Sequence, residues 1–143
     1  PQGSLIERIN IDNKIRLRPD HLLYTVAILG SGNSGRYFGG REWAVQREII
    51  AKAFRDPKLE IRIVPVFDDA CIGCSMKKDP THRERLAWED KKTLDVLGLK
   101  YGQDIQFWDA VAIARNKISA GYLKSITKSD EFINDFFSNR AAF

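Results

Sequence analysis

The chain has 143 residues and a mass of 16.3 kDa, enough for one domain that buries about two thirds of its unfolded surface. Apolar residues make up 43% and charged residues 29%, which excludes an intrinsically disordered chain. The net charge of +4 comes from 23 basic and 19 acidic side chains that are largely interspersed. No dense basic stripe marks a nucleic-acid partner, so none is expected.

The most apolar stretch, residues 22–29, is eight residues long and is broken by Thr25. A membrane span needs about 20, so an integral membrane protein is not expected. No stretch reads as a secretory signal. Pro1-Gln2-Gly3-Ser4 reads as an appended remnant, and residues 1–14 as an N-terminal arm. Two cysteines cannot build a disulfide framework, and their close spacing fits a reducing, cytoplasmic setting.

In chain order, residues 14–18 alternate polar and apolar types, as a strand with one solvated face does. Pro19 and Asp20 stop it. Residues 21–29 suit either a buried helix or a strand. Residues 30–40 hold five glycines and read as a loop. Residues 41–54 carry apolar side chains at helical spacing, and Asp56-Pro57 ends that helix.

Residues 60–67 alternate again. Pro65 lacks an N–H for a ladder, which suggests an edge strand or a bulge. Residues 68–79 form a loop with both cysteines. Pro80 suits a first helical position, and Thr81 with Glu84 has capping-box spacing, so a helix is predicted to Leu97 with Gly98 as its stop. Residues 105–107 suit a short strand. Asp109 can cap a helix ending near Ser119, before Gly121. Ser129 or Asp130 can cap a last helix with Phe132, Ile133, Phe136 and Phe137 on its apolar face. The predicted fold is therefore a single α+β domain over residues 15–120, with a small sheet and about four helices. Residues 121–143 form an amphipathic tail that docks on the body, on a second copy or on another protein.

The strongest chemical signal is Cys71-Ile72-Gly73-Cys74. Two thiols at this spacing can chelate one ion, and Gly73 lets the loop turn tightly. A closed site needs two more ligands. The only histidines are His21 and His82, which would complete a Cys₂His₂ set for zinc or a mixed-ligand iron–sulfur centre, with zinc favoured. Asp20, Asp68 or Asp69 could replace a histidine or orient one. In other readings His82 is a solvated first-turn residue, His21 a core histidine, and the cysteines ordinary.

Gly30-Ser31-Gly32-Asn33-Ser34-Gly35 matches the dinucleotide fingerprint GxGxxG after an apolar run, making Gly30, Gly32 and Gly35 alternative cofactor-binding positions. Gly39 and Gly40 interrupt the helix that should follow, and Asp68-Asp69 lies beyond the expected acidic position. A redox dithiol is a further alternative. Asp68, Asp69 and Asp79 around the thiols would raise their pKa values, however, and the next helix starts six residues after Cys74.

Arg16-Leu17-Arg18-Pro19-Asp20-His21-Leu22-Leu23-Tyr24 resembles the opening of domain of unknown function 1284, a small bacterial and archaeal family whose members read Arg-x-His-His-Leu-Leu-Cys there. Asp68-Asp69-Ala70-Cys71-Ile72-Gly73-Cys74 resembles its Asp-Asp-x-Cys-x-x-Cys motif. Leu97-Gly98-Leu99, Gly102 and residues 105–109 resemble its C-terminal part, so the likeness spans residues 15–118. The resemblance implies a cysteine-rich, metal-binding protein without an assigned reaction. Tyr24 stands where the family has a cysteine, Asp20 where it has a first histidine, and His82 near a missing later cysteine. A four-thiolate cluster cannot form within this chain, so a retained site must use histidine or carboxylate. A structural or accessory role is expected, and no reaction is indicated. Alternatives are a redox enzyme working through the thiols or a nucleotide, and a metal-free interaction subunit that docks through Phe132, Phe136, Phe137 and Phe143.

Overall fold

The computed structural model describes residues 15–32, 40–65 and 80–138. They form a mostly helical α+β fold of three strands and six helices. The elements are β1 (Ile15–Leu17), α1 (Pro19–Gly30), α2 (Gly40–Arg55), β2 (Glu60–Ile63), α3 (Pro80–Leu97), β3 (Asp104–Gln106), α4 (Phe107–Lys117), α5 (Ala120–Ile126) and α6 (Asp130–Phe136). The sheet order is β1-β2-β3. β1 and β2 run parallel, with Ile15 opposite Ile61 and Leu17 opposite Ile63, whereas β2 and β3 are antiparallel.

Residues 21–29, compatible with helix or strand by sequence, are helical. Pro19, which stops β1, also opens α1, because its fixed φ and missing N–H suit a first helical turn. Leu22, Leu23, Val26, Ala27, Ile28 and Leu29 are all buried. A helix apolar on every side must be enclosed by other elements. α1 is accordingly the core helix, packed most extensively on α6 and also on α2, α3 and α4.

Two expectations need correction, on β2 and on Arg18. β2 is the central strand, and it ends before Pro65. The proline needs no ladder partner there, because the last bond, Val64 N–H to the Leu17 carbonyl, is already made. The six described helices are roughly consistent with the expectation of about four. α5 is the one with no counterpart in the sequence reading: Gly121 looked like a terminator, but Ser119 accepts from the Tyr122 N–H and restarts a helix through it. Arg18 does not lie on a solvated strand face; it is 4% exposed at the start of α1. The last helix follows expectation. Ser129 caps α6 by accepting from the Phe132 N–H, and Phe132, Ile133 and Phe136 are buried.

At the other end of α3, Gly98 takes φ +72°. Its N–H and that of Leu99 both reach the Leu94 carbonyl, closing the helix where the sequence placed its stop. No helix among the described residues is long and apolar enough to cross a membrane.

Candidate functional site

The carboxyl end of the parallel β1–β2 pair carries a polar cluster buried between α1, α3 and α5. It begins with a helix lacking its own cap. Arg18 stands at the N-cap of α1 but offers no acceptor side chain, so the first N–H groups of the helix need another partner. Asp90, from the middle of α3, supplies one: its Oδ1 accepts from the Asp20 N–H at 3.1 Å. Its Oδ2 accepts from Arg18 Nη1 at 2.7 Å, and both side chains are almost fully buried. One carboxylate thus caps α1 and neutralises the guanidinium.

The second guanidinium arm reaches His21. Arg18 Nη2 and His21 Nε2 are 2.8 Å apart, and the imidazole is 4% exposed. A guanidinium can only donate, so Nε2 is the acceptor. The His21 backbone is fixed as well. Its carbonyl accepts from Gln46 Nε2 at 3.0 Å and from the Thr25 hydroxyl at 2.8 Å, while Thr25 also meets Gln46 Oε1. These contacts tie α1 to α2. The Tyr24 ring, which replaces the cysteine expected by resemblance, stacks edge-on to His21 and to Phe132.

A third chain leads outward. Thr93, one helical turn beyond Asp90, donates to Asp20 Oδ1 at 2.6 Å and accepts from the Tyr122 hydroxyl at 2.6 Å. Burial pushes the Asp90 carboxyl up to about 6; Arg18 opposes the rise and Asp20 adds to it. Burial also raises the Tyr122 hydroxyl, with the Thr93 hydrogen bond opposing, and raises that of Tyr101, where the charges of Asp90 and Asp20 add to the effect. Buried acids with shifted titration are frequent at functional sites, although structural ion pairs produce the same signature.

Of the sequence-derived site residues, His21 lies in this cluster and Asp20 beside it. His82 sits in the first turn of α3, two turns before Asp90 and so about 12 Å along the helix axis; its side chain lies outside the described residues. Cys71, Cys74, Asp68 and Asp69 also lie outside them. Among the described residues, no group of three or more His, Cys, Asp or Glu side chains is placed to hold a metal ion.

The glycine fingerprint sits differently from its expected setting. The apolar run before it is helix α1, whereas a pyrophosphate cradle follows a strand. Gly30 ends that helix against α6: a Cβ there would overlap the Asp135 carbonyl oxygen. Gly32 adopts φ +71° in the turn that follows, and Gly35 lies outside the described residues. The docking aromatics divide too. Phe132 and Phe136 fill the chain's own core, Phe137 is partly exposed, and Phe143 lies outside the described residues.

Sequence reasoning did not single out Asp90, Thr93 or Tyr122. Asp90 and Thr93 occupy the same helical stripe as Leu94 and Leu97, all buried. Polar residues on an apolar stripe were the available signal.

No curated protein and no solved structure matches the chain. The family model described as protein of unknown function (DUF1284) matches residues 43–134. The match takes in Cys71, Cys74, His82, Asp90 and Tyr122, and it runs past the resemblance, which ended at residue 118, to include most of α6. It covers more than half of the chain, and the protein therefore belongs to the DUF1284 family.

Proposed function

We propose that the protein binds a single zinc ion through Cys71 and Cys74, completed by His21 and His82, in a structural or accessory role. The supporting observation is topological. The Val64 N–H bonds the Leu17 carbonyl, so the chain leaves β2 toward the cysteines beside the end of β1, four residues before His21. It re-enters the described fold at α3, which is joined to the same place through Asp90, Arg18 and Asp20. The first end of the cysteine-bearing segment is thus fixed near His21, while its second end, Pro80, lies ten residues or about 15 Å of helix before Asp90, with His82 two residues on. In open α/β sheets, the carboxyl ends of parallel strands are where ligands gather. Two thiolates and two imidazoles suit tetrahedral zinc, and two thiolates alone are fewer than an iron–sulfur cluster ordinarily takes.

The test is metal quantification with absorption spectroscopy on the full chain purified without oxygen. One zinc per chain, lost in Cys71→Ser, is expected. Full zinc content in Cys71→Ser would reject the proposal, and visible absorption would indicate iron–sulfur instead.

A further inference from the structure

We propose that α5 is a lid, latched by Tyr122, whose opening admits solvent to the buried Asp90–Arg18 pair while the rest of the fold stays closed. The lid needs no bound ion. Helices α5 and α6 both have seven residues, yet they are held very differently. α6 buries Phe132, Ile133, Asp135 and Phe136, whereas α5 buries Leu123 alone. A helix this short is marginal in water without tertiary packing. Local opening draws on elements with little buried apolar surface, and core helices open only with the whole molecule.

What α5 covers is the polar cluster. The Tyr122 hydroxyl donates to Thr93 at 2.6 Å, and Thr93 donates to Asp20 at 2.6 Å. Burial raises the pKa of the Tyr122 hydroxyl against the Thr93 hydrogen bond, and the charges of Asp20, Glu89 and Asp90 add to the rise, which places it among these carboxylates. Thr93 and Asp90 are fully buried beneath it. Both ends of the lid are fixed: Ile118 is buried, and Ser129 caps α6. Between these anchors, Ser119 and Thr127 are extended and flank the helix. When α5 lifts, Thr93 keeps its bond to Asp20, and Asp90 keeps Arg18 and the Asp20 N–H. No buried charge loses its partner, so the cluster stays assembled as solvent reaches it.

The Asp20 N–H reports the opening. It lies in the first turn of α1, where no carbonyl of the helix can accept from it, and its partner is the Asp90 carboxylate. Exchange at this amide requires solvent at the cluster but no unwinding of α1. The experiment is amide hydrogen exchange on the full chain, resolved by ¹⁵N NMR, in wild type and Tyr122→Phe. The variant keeps the ring and loses only the latch. The Leu123 and Thr127 amides bond the Ser119 and Leu123 carbonyls and report α5 itself. In the wild type, Asp20, Leu123 and Thr127 should share one protection factor, at least about tenfold below that of Val26 in the middle of α1. In Tyr122→Phe, all three should exchange about fivefold faster, for one lost hydrogen bond. Protection of the α5 amides equal to that of Val26 overturns the lid. So does faster exchange in α5 with Asp20 unchanged, which would mean that α5 frays without uncovering the cluster.

A second measurement needs no variant. Lifting one short helix exposes little surface, so exchange at Asp20, Leu123 and Thr127 should hardly respond to urea below the unfolding transition, whereas exchange at Val26 should rise steeply. A urea dependence at Asp20 and Thr127 as steep as at Val26 overturns the proposal.

Discussion

Asp90 satisfies two demands at once: it balances a buried guanidinium and caps α1. Removing it leaves Arg18 charged, buried and unbalanced, and leaves the Asp20 N–H without this acceptor. Asp90→Ala is expected to lose about 3–5 kcal/mol of unfolding free energy in a urea titration. Arg18→Met combined with Asp90→Leu should recover most of that loss, since a buried ion pair is readily replaced by apolar side chains of similar volume. A double variant as unstable as Asp90→Ala would show that the helix cap, not the charge balance, dominates.

Among the elements, α6 decides how the core helix is enclosed. Gly30 lies where α1 and α6 approach so closely that the Asp135 carbonyl occupies the space of a Cβ, with the Ser138 carbonyl 2.9 Å from the same point. Arg115, from α4, donates to the carbonyls of Phe136 and Ser138 and holds the end of α6 in place. Alanine is the better helix former by about 1 kcal/mol, so an exposed helical glycine would gain from Gly→Ala. Here the sign reverses. Gly30→Ala must push α6 away from α1, and a loss of about 1–3 kcal/mol is expected by chemical denaturation. Stabilisation by this substitution would contradict the packing. The helix in the amphipathic tail packs on the body, one of the dockings the sequence allowed, through buried Phe132 and Phe136.

For the whole molecule, the buried acid makes stability depend on pH in an unusual direction. The Asp90 pKa rises from 3.8 to about 6 on folding, so between these values the folded chain holds more protons than the unfolded one. Its contribution to stability is full below pH 3.8 and is lost as pH rises through 6. Between pH 7 and pH 5 the gain on acidification is about 1 kcal/mol, worth a few degrees in melting temperature for a chain of this size. The melting temperature of the wild type relative to Asp90→Asn should therefore be higher at pH 5 than at pH 7. A difference that is constant with pH would show that Asp90 does not titrate in this range.

Local chemistry alone placed most element ends. Pro19, Pro80, Gly98 and Ser129 stop or start the backbone by their own dihedral limits or hydrogen-bonding groups, and each acts where the sequence located it. The two-residue thiol spacing and the scarcity of histidine likewise belong to the sequence. Tertiary structure decided what no local pattern encodes. It made residues 21–29 a helix, because only enclosure by α2, α3, α4 and α6 can bury an element that is apolar all round. It put β2 at the centre of the sheet, and it brought Asp90 across 72 positions to Arg18. Burial strengthens that last interaction by removing water, and burial exists only once the helices have packed.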